Sequence, residues 1–390
     1  MPRLLSYALK SLWARRVTTL ATAAGITLLV FVLSASGMLA NGMRHTMASA
    51  GDPRRALVIQ QNQWSEQRSH LPQSVFGLAA AAPHVKRNAD GQLLITGETV
   101  SHLMLPSSHD EDRFSTLQIR GVDANVFELR PSVRLLAGRA LKPGTPEAIV
   151  GKGLAGRYAG LSLGDSFELV GGRPIAVVGV FENGGSALES EVWVDLENAR
   201  SAFDMAGTYS SITAELEGAE RLDDFAEPLT RDKQTGINVE RESGYYTRIT
   251  AGLADLVALL GAAEALIVSF GAILGTMIVA YTSVMQRRTE IGVLRALGFQ
   301  RRSILAAFLL ESLALALAGG ALGVGLALLT PLLDFNAVNL STDQEIAFRF
   351  RPDAVALAAS VLGAALVGLL GGLWPALRAA RLDPVQAMRA

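Results

Sequence analysis

Residues 286–298 read QRRTEIGVLRALG and lie between two long apolar stretches of a 390-residue chain. The apolar residues of this segment recur at intervals of three and so share one face of a helix: Ile291, Leu294 and Leu297. Its charged residues fall mostly on the other side: Arg287, Arg288, Glu290 and Arg295. Gly298 supplies a helix stop. The pattern predicts a short amphipathic helix at a membrane surface, held there by another protein.

Four uncharged runs are each longer than the roughly 20 residues that a helix needs to cross a bilayer. They cover residues 17–43, 265–286, 312–333 and 354–377. The first run exceeds the roughly 7–15 apolar residues of a secretory signal, so we expect it to remain as an anchor. The predicted spans are residues 18–40, 247–284 (which begins with a stalk outside the bilayer), 304–332 and 354–375. The predicted fold class is thus an α-helical membrane protein with four transmembrane helices.

The net charge of −1 hides an uneven distribution. Residues 1–17, 285–303 and 376–390 together hold twelve basic and two acidic residues, whereas the rest of the chain holds 23 basic and 34 acidic ones. By the positive-inside rule, these three segments are cytoplasmic, and residues 44–246 and 333–353 lie outside. Residues 1–17 fit either an interfacial amphipathic helix in contact with lipid or a basic flank that only sets orientation.

The outer region, residues 44–246, is predicted to be an α+β domain, with two subdomains as an open alternative. Its predicted strands are residues 56–60, 93–96, 117–121, 147–150, 166–170, 175–181, 191–194 and 211–216, and its predicted helices are residues 73–82, 196–205 and 222–230. From residue 244 a helical pattern continues into the second span. We expect this helix to act as a rigid rod.

Small and acidic residues mark the predicted spans. Gly271 and Gly275 form a small-xxx-small pair that permits close helix packing, within the chain or at the seam of a dimer. Gly319 and Gly323 have the same two interpretations. Glu264 and Glu311 lie in the membrane-embedded parts of their spans, residues 256–284 and 304–329, which contain no Lys or Arg, so we expect hydrogen bonding between helices rather than ion transport.

Several motifs in the outer region resemble sites without meeting their requirements. Residues 151–156 match GxGxxG but favour a glycine-rich turn, because a dinucleotide site needs a βαβ unit and a later acid. The five histidines lack metal-ligand spacing, and no cysteine is present for thiol chemistry. No catalytic motif and no phosphate-binding loop is found, so the chain is predicted to be neither an enzyme nor a nucleic-acid binder, with no cofactor of its own.

The C-terminal half closely resembles the permease signature of FtsX-like, MacB-type ABC transporter subunits. The family pattern Glu-Ile-Gly-x-x-Arg-Ala-x-Gly is matched by Glu290, Ile291, Gly292, Arg295, Ala296 and Gly298. The acid of its third span corresponds to Glu311, and its tail pattern to Ala380, Arg381 and Pro384. The outer region resembles the MacB-type periplasmic core, notably in IRGVDANVFEL and PIAVVGVF.

This resemblance implies that residues 285–303 form a coupling helix. An ABC ATPase on a separate chain would bind ATP and Mg²⁺ and push on it, and the spans would pass the movement to the periplasmic domain. Glu290 and Arg295 would contact that ATPase, with Ile291 and Leu294 in its groove. The resemblance also implies a bacterial inner membrane location and a dimer with a second copy or a paralogue.

Three functions remain after the sequence analysis. The first is export or extraction of a lipophilic substrate or lipoprotein, with a periplasmic adaptor and outer-membrane channel as optional partners. The second is an FtsX-like regulator that activates a periplasmic enzyme; the roughly 200-residue outer region favours the first. The third is an ion-coupled secondary carrier, which four spans without an inverted repeat disfavour.

Overall fold

A computed structural model describes residues 16–231, 236–332, 334–339 and 344–382. Most of the predicted N-terminal segment 1–17, together with Pro384, lies outside the described residues. Contacts within the chain divide it into two units. A helical unit comprises Met1–Gly42, Asp255–Leu333 and Phe350–Ala390, and a sheet unit comprises Met43–Ala254 and Asp334–Arg349.

The sheet unit contains one mixed ten-stranded sheet in the order β12-β1-β11-β3-β4-β9-β6-β8-β5, with β7 also pairing with β8. The strands are β1 (Arg55–Gln60), β2 (Leu71–Pro72), β3 (Ile95–Ser107), β4 (Asp110–Val122), β5 (Arg134–Gly138), β6 (Glu147–Gly151), β7 (Ser166–Leu169), β8 (Arg173–Glu182), β9 (Glu191–Asp195), β10 (Thr208–Tyr209), β11 (Ser211–Glu215) and β12 (Ile237–Arg241). β2 and β10 pair separately. The β4–β9 and β6–β8 pairs are parallel, and the other pairs are antiparallel.

The helices in chain order begin with α1 (Arg16–Ala48), α2 (Gln73–Ala81), α3 (Val126–Leu129), α4 (Leu196–Ala202) and α5 (Leu222–Thr230). The later ones are α6 (Glu242–Gln286), α7 (Arg288–Ala296), α8 (Arg301–Ala327) and α9 (Ala354–Ala380). A hairpin of β13 (Asp334–Asn339) and β14 (Gln344–Arg349) joins α8 to α9. Four helices among the described residues, α1, α6, α8 and α9, are long and apolar enough to cross a membrane.

The sheet unit has two apolar cores. One core lies around β1, β11, α2 and α5 and includes Val58, Ile212 and Phe225. The other lies around β4, β6, β8 and β9 and includes Val150 and Val192. Strand β3 belongs to both halves, because residues 95–98 pair with β11 and residues 99–107 pair with β4.

Several strands differ from the prediction. β3 and β4 are each 13 residues long, well beyond the predicted segments. β5, β12 and the β13–β14 hairpin were not predicted. All five residues of β5 are exposed. The strand therefore has no alternation of buried and exposed positions from which its sequence could have predicted it. The hairpin belongs to the sheet unit: Ile346 and Phe348 are fully buried, and the Ala347 amide donates to Ser190 Oγ at 3.1 Å.

Small residues set the packing of the helical unit. Ile26 and Val30 of α1 meet alanines of α6, α8 and α9 in one apolar cluster. Close contact between helices requires glycine here, because a Cβ on Gly368 would lie 2.5 Å from the Cβ of Ala316. Ser34 and Ser360 share a hydrogen bond of 2.7 Å between α1 and α9.

Candidate functional site

The segment 286–298 forms a short helix, α7, between α6 and α8. α6 ends at Gln286, Arg287 caps the next helix, and α7 runs from Arg288 to Ala296. Gly298 has a φ of +91°, a left-handed conformation that glycine adopts without a Cβ clash. The Arg295 guanidinium donates to the Phe299 carbonyl at 3.4 Å beyond the helix end.

Only part of the apolar face of α7 is available to another protein. Ile291 is 3% exposed and packs with Val284, Ile304 and Phe308 in a core cluster of this chain. Its predicted place in a groove of the ATPase is therefore wrong, because the side chain fastens α7 to its neighbouring helices. Gly292 is buried as well, whereas Leu294 and Leu297 are 36% and 72% exposed. The available surface thus lies mainly at the C-terminal end of α7, where Ala296 and Gly298 are also exposed, with Glu290 exposed in the first turn.

Glu311 accepts a hydrogen bond from a basic residue that lies outside the predicted spans. Its carboxylate lies 3.4 Å from Arg287 Nη1, and the two side chains are 14% and 12% exposed. Arg287 lies between the predicted spans, in the turn that returns the chain toward α8. The pair thus joins Arg287, at the start of α7, to Glu311, about three turns into α8. Glu264, by contrast, has an exposed side chain on α6.

The cleft between α7 and α8 has a volume of about 120 Å³ and is mainly apolar. Leu294, Phe299 and Phe308 line it, and Arg287, Glu290 and Glu311 provide its charged groups. Such a cleft can accept an apolar side chain of a partner next to a charged one. Arg288, Arg295 and Arg301 add positive charge nearby along the chain.

The candidate glycines have two different environments. Gly319 and Gly323 of α8 pack against α1: a Cβ on Gly323 would lie 2.6 Å from the Thr27 carbonyl oxygen and 2.7 Å from Val30 Cβ. Gly271 and Gly275 of α6 have no such neighbour within 4 Å. They line an open groove of about 470 Å³ with small residues of α1, among them Gly25. Packing within the chain therefore accounts for the first pair and not for the second.

The C-terminal tail is described only in part. Arg381 caps the end of α9, where its amide donates to the Leu377 and Arg378 carbonyls at 3.2 Å. The guanidinium of Arg378 lies 5.2 Å from the centre of the Tyr281 ring, which joins the ends of α9 and α6. Pro384 lies outside the described residues, so its predicted role stays a prediction.

The GxGxxG segment is a turn, as the sequence analysis favoured. Gly151 ends β6, and no helix follows it before β7. His84 lies 3.0 Å from Glu217. Among the described residues, no group of three or more His, Asp or Glu is placed to hold a metal ion.

The sheet unit contains a buried ionic cluster that the sequence analysis missed. We call it the buried cluster; its charged members are Arg55, Glu66, Glu98, Arg120, Arg130, Glu191 and Glu242. Arg120 and Glu98 are fully buried and paired, and Arg130 joins Glu98 to Glu242 with contacts of 2.9 Å to each. The sequence signal was a charge within an otherwise apolar strand, such as Arg120 in LQIRGV.

Each acid of the buried cluster has several donors. Glu191 accepts from Arg120 Nε at 2.7 Å and from Trp193 Nε1 at 2.8 Å. Glu66 accepts from Arg120 at 3.1 Å and from Ser211 Oγ at 2.6 Å. Burial acts to raise the pKa of Glu98, but the guanidinium groups of Arg130 and Arg120 outweigh it and hold that pKa below its usual value of 4.5. The buried carboxylate of Glu98 is therefore kept ionised.

Two family models match the chain. One, described as the MacB-like periplasmic core domain, matches residues 19–232, which is more than half of the chain. The other, described as the FtsX-like permease C-terminal, matches residues 262–384. The chain belongs to the MacB/FtsX-like family of ABC transporter permeases. This assignment and the four candidate spans confirm the predicted family and fold class.

Relatives with known names share parts of this permease. An uncharacterized ABC transporter permease, YknZ of Bacillus subtilis, is 26% identical over 235 residues, which are 56% of this chain and 55% of that protein. The macrolide export ATP-binding/permease protein MacB 2 of Aeromonas hydrophila is 27% identical over 329 residues, 80% of this chain and 46% of that protein. The chain therefore spans about half the length of these relatives.

Two solved structures are also similar to this permease. The extracellular domain of the ABC-type transporter YknZ from Gram-positive bacteria has 15% identity and a TM-score of 0.36, covering 48% of this chain and 100% of that domain. The periplasmic region of MacB from Actinobacillus actinomycetemcomitans has 14% identity and a TM-score of 0.36, covering 49% and 90%.

Proposed function

We propose that this permease transmits ATP-driven movement of an ABC ATPase to its outer sheet unit, and so exports or extracts a lipophilic substrate or lipoprotein. The observation that carries the proposal is helix α6. It is one helix from Glu242, within the sheet unit, to Gln286, next to α7. Its 45 residues span about 67 Å, roughly twice the 30 Å of the hydrocarbon core.

The attachment of α7 supports its role as the receiving element. Ile291 is buried against α8 and α9, and the Arg287–Glu311 pair joins the cap of α7 to α8. A push on the exposed end of α7 would therefore move the ends of the spanning helices rather than a loose loop. Leu294, Leu297 and Arg295 form the surface that we assign to the ATPase. Cytoplasmic placement of this surface follows from its positive charge.

Charge reversal on this surface tests the ATPase contact. Arg295→Glu and Leu297→Glu are expected to abolish copurification of the ATPase and its stimulation by the permease, with membrane insertion unchanged. Arg295→Glu also removes a contact within the chain, because Arg295 donates to the Phe299 carbonyl. Leu297→Glu is therefore included as a second variant, at a side chain that is 72% exposed. Arg231→Glu, on the sheet unit, is the matched control. Undiminished copurification of both variants would refute the assignment.

A second permease copy is the occupant that we propose for the groove beside Gly271 and Gly275. The groove lies on a helix whose neighbouring apolar residues, Ile267 and Ile278, are 72% and 61% exposed. Small residues without neighbours in their own chain permit close approach of a further helix. The chain contains no cysteine, so Ile278→Cys provides a single site for disulfide cross-linking. Cross-linked dimers are expected at this position and not for Leu362→Cys on α9, which is also exposed.

The transport direction is proposed from the names of relatives, several of which are macrolide export proteins. A macrolide such as erythromycin is therefore the first probe to use. Expression of the permease with its ATPase in an efflux-deficient strain is expected to lower accumulation of the drug, and the Leu297→Glu variant should not. Copurification with a periplasmic adaptor would support export, whereas copurification with a hydrolase would support the FtsX-like regulator.

A further inference from the structure

We propose that the buried cluster is a joint that makes the first turn of α6 move as one body with both halves of the sheet unit. This proposal deepens the proposed function. Only the test with ATP depends on that function, and the tests without ATP do not. It assigns a positioning role to Glu242, Arg130 and Tyr246, none of which belongs to the ATPase surface.

The chain of contacts runs from α6 into one half of the sheet and then into the other. Glu242, the first residue of α6, pairs with Arg55 on β1 and, at 2.9 Å, with Arg130 after α3. Arg130 contacts Glu98 on β3 at 2.9 Å. β3 is the strand shared by the two cores. The path of contacts from Glu242 through Arg130 to Glu98 therefore connects α6 to the boundary between the two halves.

Arg120 on β4 continues the connection into the second half. Its guanidinium pairs with Glu98, contacts Glu66 at 3.1 Å and binds Glu191 on β9 at 2.7 Å. It also donates to the Tyr246 hydroxyl at 3.3 Å, which gives α6 a direct contact to β4. The Tyr245 hydroxyl accepts from the Glu66 amide at 2.9 Å. Three side chains of the first turn of α6 thus bind three separate parts of the cluster.

Burial makes this connection stiff. The side chains of Arg120 and Glu98 have no exposed surface, and those of Arg130 and Glu242 are 1% exposed. A buried charge that loses its partner has no water to replace it, so these contacts cannot be exchanged one at a time. Apolar packing would bury α6 as well, but it is not directional and permits sliding. Paired guanidinium and carboxylate groups fix both distance and orientation.

Hydrogen exchange on the full chain in nanodiscs tests the joint without ATP. Glu242→Gln is expected to lower protection of amides in the first turn of α6 and, by about tenfold or more, in β4 and β9, which Glu242 does not touch. Glu240→Gln, at a partly exposed pair with Arg248 two residues earlier, should change protection only nearby. Loss of protection confined to α6 and β1 in Glu242→Gln would overturn the proposal.

Tyr246→Phe provides a milder variant if Glu242→Gln does not fold. It removes one hydroxyl that contacts Arg120 and leaves the ring in place, so protection of β4 should fall by a few fold. When combined with Glu191→Gln, its effect on β4 and β9 should be non-additive, because both groups bind the Arg120 guanidinium. Additive effects would contradict the joint.

The ATP-driven test uses the permease bound to its ATPase. In the wild type, ATP with vanadate is expected to change exchange in β3 and β4. In Glu242→Gln this response should disappear, although ATP hydrolysis measured without vanadate continues. Glu240→Gln should respond as the wild type does. An unchanged response in Glu242→Gln refutes the joint. A wild type without any response refutes the proposed function instead, and the exchange measurements without ATP still decide on the joint.

Discussion

Glu98 shows how a single buried carboxylate depends on its neighbours. It is fully buried between Arg120 and Arg130, and these two guanidinium groups make the ionised form the stable one. Protonation would leave two buried cations short of a counter-charge. The acid therefore favours the folded state only while it is ionised.

The pH dependence of the sheet unit follows from this. The pKa of Glu98 in the folded state is below 4.5, its usual value. Its contribution is therefore complete above pH 4.5 and is lost as the pH falls through the folded-state pKa. Thermal unfolding of the sheet unit, followed by circular dichroism, should shift to lower temperature below pH 4.5. Glu98→Gln should be less stable at pH 7 and should vary less with pH between 4.5 and 3. An equally steep acid transition in that variant would contradict the assignment.

The Arg287–Glu311 pair is predicted to hold α7 on α8. Glu311→Gln removes the carboxylate that the nearly buried Arg287 guanidinium contacts and should cost up to about 3 kcal/mol in stability. The double variant Arg287→Gln/Glu311→Gln should cost less than Glu311→Gln and Arg287→Gln added together, because either single variant already removes their mutual contact. Midpoints of thermal unfolding in detergent measure both. A double variant that is as unstable as the sum of the single ones would show that the two groups do not interact.

At the scale of elements, the surroundings of each glycine show whether it serves a helix contact within the chain or lies on a surface open to a partner. α8 illustrates both cases within three residues. Gly323 faces α1 at a distance that excludes a methyl group, and Gly325 has open space around it. Sequence spacing alone makes the two glycines look alike.

Alanine at these two positions should have opposite effects. Gly323→Ala forces α1 and α8 apart, because its Cβ would lie 2.6 Å from the Thr27 carbonyl oxygen, and should destabilise the helical unit by about 1–3 kcal/mol. Gly325→Ala should be neutral or stabilise by up to about 1 kcal/mol through helix propensity. The midpoint of thermal unfolding in detergent is again the measurement. A stable Gly323→Ala protein would mean that α1 and α8 can separate without cost.

At the scale of the whole molecule, α6 is the one spanning helix that begins with the joint and ends beside α7. Transmission through it requires that residues 247–255 remain helical. Gly252 lies in this stretch with no neighbour within 4 Å of an added Cβ, so substitutions there alter the helix itself and no packing contact.

Gly252→Pro should uncouple the two units. Proline removes a hydrogen bond inside the helix and costs about 3 kcal/mol, which introduces a kink or a break. ATP hydrolysis by the complex should continue, and the ATP-induced change of exchange in β3 and β4 should be lost. Gly252→Ala is the matched control and should preserve the response. A normal response in Gly252→Pro would show that movement reaches the sheet unit by another route.

The elements that were predicted correctly are those with a local signal. The spans came from uncharged runs of about 20 residues, and β1, β6 and β9 from short β-branched segments bounded by turns. β5 was missed because all of its residues are exposed, and β3 and β4 were cut short because their hairpin ends, residues 101–107 and 110–116, are mostly half-buried or exposed. The coupling segment was recognised, but the burial of Ile291 depends on α8 and α9.

Periodicity, charge balance and motif spacing are all properties of windows of about 20 residues, and within such windows this chain defines its spans, its amphipathic segment and its family. Pairing of charges is not such a property. Arg120 meets Glu66 at a separation of 54 residues, Arg55 meets Glu242 at 187, and Arg287 meets Glu311 at 24. Only the folded chain brings these groups together. Because the energy of a charge depends on whether a partner replaces water, the tertiary structure alone decides that these residues form buried or nearly buried pairs rather than a solvated surface.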